Sequence, residues 1–286
     1  MSRRSEKSPR ESELARAGLG ARWAELHHGD REPWPDERRI AGLARREETV
    51  AKIVTLHGGA GPMALDLQAA WQAFHAGEFP RAIKLGSELG ALGATVANKA
   101  AAIDSVYSKH TGPQVLRILV TATARGEEAV GQLPKYPNAH YMLALVLGRY
   151  SQRISILEAL AEGLAGRVRS HLEQTLDLEP RHAEAHVALG LYHAEIINKL
   201  GSLAAGFTHN VSSEKALEHF HQASHLAPAS PIVQMEHANG LMLLDADRYR
   251  SQARQLYERA AACRPLDAME ALDVQCATRL SEGKTR

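Results

Sequence analysis

The chain is poor in the residues from which sheets, disulfide frameworks and metal cages are built. Aromatic residues fill 5% of its 286 positions, and runs of alternating Val, Ile, Thr and aromatics are scarce. That excludes a sheet-dominated protein and leaves an Ala- and Leu-rich helical one. Cys263 and Cys276 are the two cysteines, too few for a disulfide framework or for a zinc site of their own. They are expected as buried or half-buried thiols in a reducing compartment. No charge of one sign dominates. The balance of 34 basic against 33 acidic residues gives a formal charge of +1, where a dedicated nucleic-acid surface needs a basic excess. Long hydrophobic runs are missing too. The most apolar stretch, Tyr141–Leu147, is far too short to span a bilayer. The N-terminal MSRRSEKSPRESEL is charged, with no apolar segment behind it, so no signal peptide is expected. These absences point to a soluble cytoplasmic protein with neither nucleic-acid nor membrane partners.

What the chain does have is repetition. Val168-Leu172-Thr175-Pro180, Ala216-Phe220-Ala223-Pro228 and Ala253-Tyr257-Ala260-Pro265 share offsets of 4, 3 and 5. The first two steps keep three side chains on one helical face; the third sets a proline just past the helix end. A second pattern, A-x-W-x-x-[LF]-H-x-G-[DE], occurs at Ala21–Asp30 and Ala69–Glu78, with Trp23 and Trp71, His27 and His75, Gly29 and Gly77 in register. A third pairs His140 through Leu147-Gly148-Arg149-Tyr150 with His182 through Leu189-Gly190-Leu191-Tyr192. Units repeated in this way stack on copies of themselves.

The resulting organisation is a disordered tail at 1–12, one α-solenoid at 13–280 and a frayed tail at 281–286. Within the solenoid, 13–56 is an N-terminal hairpin with helices near 13–28 and 35–55. Residues 63–133 hold middle hairpins, 138–265 the best-matched repeats, and 267–280 a capping helix. His57-Gly58-Gly59-Ala60-Gly61-Pro62 reads as a linker between hairpins.

The Leu-Gly pair, the later Ala, the aromatic four on, the Ala three on and the closing Pro resemble the tetratricopeptide repeat. The cleanest unit is Leu189-Gly190 with Ala216, Phe220, Ala223 and Pro228. The resemblance implies an all-α solenoid of five to six antiparallel hairpins whose concave face binds a protein or peptide. The usual unit is about 34 residues, whereas Pro180 to Pro228 spans 48. The extra length falls between the two helices of the hairpin. Such expanded hairpins resemble those of uncharacterised proteobacterial repeat proteins and, more distantly, the T component of TRAP transporters.

The candidates for chemistry each have a simpler structural reading. His57-Gly58-Gly59 is similar to an esterase oxyanion loop, yet the chain has no G-x-S-x-G elbow. His182, His186 and His193 share a helical arc, and His219, His221 and His225 form a second group; three such rings are able to hold Zn²⁺ or Ni²⁺. The repeat register, however, puts His186 and His193 at packing positions, and no metal or other cofactor is expected. The arginines at 38–39 and 45–46 are interleaved with Asp36, Glu37, Glu47 and Glu48 and read as a solvated helix face. No catalytic residue is assigned.

Two readings of binding follow. In the repeat register the concave positions are Trp71, His75, Arg149, Gln152, Arg153 and Glu195. Arg149 and Arg153, one turn apart, suit a carboxylate, that of a protein or peptide partner or of an anionic small ligand. The alternative is a small-ligand pocket walled by the paired insertions at 154–164 and 196–207. These carry Ile154, Ile156, Leu157, Leu160 and Leu164 in one, and Ile196, Ile197, Leu200, Leu203 and Phe207 in the other. So much apolar surface will not stay open to water: the insertions either pack on each other and merely thicken the solenoid, or wall a pocket or groove beside the concave face.

Overall fold

Each proline of the repeated spacing follows a helix end. Pro180 lies two residues past Leu178, Pro228 two past Leu226, and Pro265 beyond the cap at Ala262. The structure, a computed structural model, describes residues 9–201 and 211–284. Among them are fourteen helices and no strand. The N-terminal part comprises α1 (Pro9–Leu26), α2 (Glu37–Ala44), α3 (Glu48–Leu56), α4 (Ala60–His75) and α5 (Phe79–Ser87). Then come α6 (Gly90–Tyr107), α7 (Gly112–Gln132), α8 (Pro137–Ser151), the short α9 (Ile156–Ala161) and α10 (Leu164–Leu178). The C-terminal part is α11 (Ala183–Leu200), α12 (Ser213–Leu226), α13 (Pro231–Ala261) and α14 (Ala268–Ser281).

Hairpins stack in sequence: α4 with α5, α6 with α7, α8 with α10, α11 with α12. The arms of α13 form the last, because Asp245 leaves helical geometry (φ −165°, ψ 97°) and its carboxylate caps Arg248 N. Leu241 and Ala238 on one arm pack on Ala253 and Leu256 on the other. Local polar chemistry starts many of these helices. Asp36, Ser212, Ser230 and Asp267 each accept a backbone N–H of the first turn. The segment expected as one helix over 35–55 is two, since Glu47 is extended (φ −126°, ψ 111°) between α2 and α3. Gly58 and Gly59 both take positive φ between α3 and α4, a conformation that glycine adopts without strain. The preceding Ile53–Leu56 is helical, not the strand an oxyanion loop would follow.

The solenoid closes on its own beginning. Helix α14 does not only cap α13; it also meets the ends of α1, α4 and α6. Met269 joins the core of Trp23, Trp71 and Phe74. Asp267 Oδ2 lies 2.6 Å from His75 Nδ1, Arg22 donates to the Leu266 carbonyl at 3.0 Å, and the Tyr107 hydroxyl donates to Asp273 at 2.8 Å.

Candidate functional site

A buried polar network holds the turn after α1 against the inner helices. Asp30, fully buried, accepts Lys99 Nζ at 2.5 Å and His27 Nδ1 at 2.9 Å. Lys99 also reaches Glu184 at 3.2 Å, and the Tyr141 hydroxyl donates to the other oxygen of Glu184 at 3.0 Å. Burial alone pulls the Lys99 ammonium down, but Asp30 and then Glu184 outweigh it and raise its pKa. Burial likewise pushes Asp30 up, yet the adjacent His27 and Lys99 hold it well below the usual carboxylate range. Burial lowers His27 to about 4, so the ring is neutral. With Nδ1–H given to Asp30, its Nε2 faces His75 Nε2 at 3.2 Å. The two histidines that the sequence repeat equates therefore meet each other. Next to them Glu32, raised to about 7 by burial and by Asp30, accepts from the Tyr136 hydroxyl and from Asn138 Nδ2. His182 caps α11 and contacts Asn138 Oδ1 at 2.8 Å; burial lowers it to about 3.

These contacts tie the N-terminal ends of α8 and α11 together. Further along, the two helices part and leave a cavity of about 380 Å³. Leu145 of α8, Leu164, Val168 and Leu172 of α10, and Leu191, Ile196 and Leu200 of α11 give it an apolar lining. Its rim is polar. Gln152 donates to Glu195 at 3.1 Å, Lys199 lies 3.8 Å from the same carboxylate, and Arg149 lies 3.7 Å from Glu236 of α13. One side-chain difference between the hairpins leaves room here. Where the next hairpin carries Phe220, this one carries the shorter Leu172. A Cβ built on Gly190 lies 2.6 Å from the Phe220 ring, whereas its counterpart on Gly148 has nothing within 4 Å.

The six residues read for a concave face are separated. Arg149, Gln152 and Glu195 meet at the cavity rim. Arg153 does not join them: α8 ends at Ser151, so the helical spacing from Arg149 is broken and Arg153 turns to the Ser105 carbonyl at 3.5 Å. Trp71 is 1% exposed, enclosed by Trp23, Phe74 and His75. His75 is occupied by His27 and Asp267. Trp71 offers no free face, and His75 is left only half-buried, because α14 and the turn before it return over them. Of the insertion residues, Leu164, Ile196 and Leu200 line the cavity, while Leu203 and Phe207 lie outside the described residues. Glu236 and Lys199 were not foreseen; the contrast of Leu172 with Phe220 was the available signal.

Of the histidines expected to share one face, His182 turns to the helix start, whereas His186 and His193 both meet His219 of the second group. His182 is a helix cap, His186 Nδ1 pairs with His219 Nδ1 at 3.0 Å, and His193 stacks on the His219 ring. Among the described residues no group of three or more His, Cys, Asp or Glu is arranged to hold a metal ion. Nor is any helix there long and apolar enough to cross a membrane. Cys276 is buried and Cys263 half-buried, both as free thiols.

Comparison with known proteins gives a family and a fold. The family model for regulator of microtubule dynamics protein 1-3 matches residues 99–282, more than half of the chain. No curated protein sequence matches. Among solved structures, a thermophilic TPR protein of Thermus thermophilus superposes with a TM-score of 0.55 at 16% identity. That match covers 76% of this chain and 98% of the other, and it shows the tetratricopeptide-type solenoid. The human IFIT1 dimer with PPP-AAAA reaches a TM-score of 0.41 at 17% identity, over 78% of this chain and 56% of that one, a likeness too low to build on.

Proposed function

The chain belongs to the regulator of microtubule dynamics protein 1-3 family, and from that premise we propose that it is a non-catalytic binding protein. Its helical-repeat scaffold encloses a small amphipathic ligand in the cavity between α8, α10 and α11. The observation that carries this reading is the union of an apolar lining with a charged rim in a space of about 380 Å³, within the range usual for small-molecule sites. An apolar body against Leu145, Val168 and Leu191 gains about 0.8 kcal/mol per methylene buried. A polar end at the mouth meets Arg149 and Lys199. The two free thiols suit a reducing, cytoplasmic setting.

The test fills the cavity with the ring that the next hairpin already carries. Leu172→Phe and Ala188→Phe should abolish binding of an apolar fluorescent probe such as anilinonaphthalene sulfonate while keeping or raising the melting temperature. Native mass spectrometry of the purified wild-type protein should show a co-purifying small molecule that both variants lose. Probe binding undiminished in both variants would rule this cavity out as the site.

A second reading, a protein or peptide partner presenting a carboxylate, has the solenoid architecture and Arg149 in its favour. It predicts partner loss in Arg149→Ala with the cavity-filling variants still active, the reverse of the pattern expected for an enclosed ligand.

A further inference from the structure

A second cavity, of about 340 Å³, opens on another part of the molecule, between the turn after α1, the end of α2 and the turn that leads into α8. Two stretches far apart in sequence bring cations to it: one carries Arg31, Arg39 and Arg46, the other Lys135. Arg39 lies over the Tyr136 ring, its guanidinium carbon 5.0 Å from the centroid, in position to continue a stack. Among the described residues no carboxylate lies within ion-pair distance of Arg31, Arg46 or Lys135. Glu47 and Glu179 also face the space, and Glu179 is engaged with the Arg181 amide at 3.1 Å. Asp30 accepts from Lys99, which it shares with Glu184, and from the neutral His27 ring. Four cations therefore line the space with three carboxylates, one of which, Asp30, is already paired with Lys99.

The backbone adds an independent sign. Arg31 is the one non-glycine among the described residues with positive φ, at 54°. A branched or long side chain is held in that region against a cost of about 1–2 kcal/mol. The glycine two positions earlier, Gly29, is not used for the purpose: the left-handed conformation falls on the residue whose side chain lines the cavity. The first residues of α8, Pro137 and Asn138, form another part of the wall, so the positive end of that helix also faces inward.

From this arrangement we propose that the cavity is an anion site for a small phosphate monoester carried on a planar or apolar group. A phosphate monoester carries close to two negative charges at neutral pH, and Arg31, Arg46 and Lys135 are the cations placed to meet them. Arginines present forked donors to phosphate oxygens. Leu43, Leu133 and the Tyr136 ring offer an apolar surface for the organic part. The site is separate from the cavity between α8, α10 and α11, and its occupancy does not depend on that reading.

Calorimetric titration of the full chain with phenyl phosphate, and with inorganic phosphate as the reference, tests this at low ionic strength. Phenyl phosphate should bind saturably and more tightly than inorganic phosphate. Arg31→Gly removes one guanidinium and relaxes the backbone at once. It should weaken binding about tenfold or more while leaving the melting temperature equal or higher. Lys135→Gln, on an exposed turn, should weaken binding in the same direction, and Arg254→Gln, far outside the cavity, should not. Equal affinity in Arg31→Gly and wild type, equal effects of Lys135→Gln and Arg254→Gln, or no saturable binding at millimolar phenyl phosphate would each overturn the proposal.

Discussion

The ring of Phe220 is held between two glycines, and substituting either should reveal how tightly. Phe220 is fully buried in α12. A Cβ added at Gly240 of α13 falls 2.0 Å from its Cζ and 2.6 Å from Cε2; one added at Gly190 of α11 falls 2.6 Å from Cε1 and 3.1 Å from the Ala216 carbonyl oxygen. Carbon atoms at optimal contact lie about 3.5–4.0 Å apart, so Gly240→Ala requires the ring to move by more than about 1 Å. It has nowhere to go, since Gly190 lies against the opposite edge and His237 stacks on its face with centroids 5.0 Å apart. Overpacking costs about 1–3 kcal/mol. Alanine returns up to about 1 kcal/mol of helix propensity. The 2.0 Å approach puts the overpacking cost at the upper end of that range, so the expected net loss for Gly240→Ala is about 2 kcal/mol, a fall in melting temperature of roughly 2–4 °C per kcal/mol for a chain of this size. Far-UV circular dichroism during heating reads it directly. Phe220→Leu destabilises by itself, through the cavity it leaves, but should cost less in the Gly240→Ala background. A coupling of about 1 kcal/mol or more in the double-mutant cycle is expected. If Gly240→Ala melts higher than wild type, or shows no coupling to position 220, the clamped ring is not what sets the spacing of α11, α12 and α13.

Two further outcomes follow from the buried polar groups. Lys99→Met leaves the Asp30 and Glu184 carboxylates facing each other without their shared cation, and should cost about 3–5 kcal/mol in denaturant unfolding. His182 is lowered to about 3 by burial, below its unfolded value. Its contribution to stability is thus present above about pH 6.5 and is lost as pH falls toward 3. His182→Asn keeps a capping side chain without titrating, and should reduce the acid-side slope of unfolding free energy by about 1.4 kcal/mol per pH unit. Urea titrations at a series of pH values from neutral to mildly acidic check this, and an unchanged slope would contradict a neutral His182 in the folded protein.

The helices were readable from local spacing because each requirement is met within one hairpin. Ala216, Phe220 and Ala223 are all fully buried, and Leu172 and Thr175 nearly so, as the shared offsets demand. What could not be read depended on chain segments far away. Trp71 and His75 occupy inner positions by periodicity alone, but α14, nearly two hundred residues later, covers them. Arg153 left its expected face because α8 stops two residues earlier. The arginines of the α2 region look like a solvated face when read with their acidic neighbours. Only folding adds Arg31 and Lys135 to them.

The return of α14 to the first hairpins also changes how this chain folds. In an open array each unit touches only its neighbours, so the ends fray independently and unfolding spreads from them. Here the last helix and the turn before it make contacts such as Tyr107 with Asp273, His75 with Asp267 and Arg22 with Leu266 across most of the chain. Joining such distant segments carries a loop-closure entropy that grows only slowly with the length enclosed, while it raises contact order and slows folding. Once closed, the terminal hairpins no longer open as free ends. Hydrogen exchange at the ends of the array should then approach that of its middle, and removing the last helix should return the chain to graded unravelling from its termini.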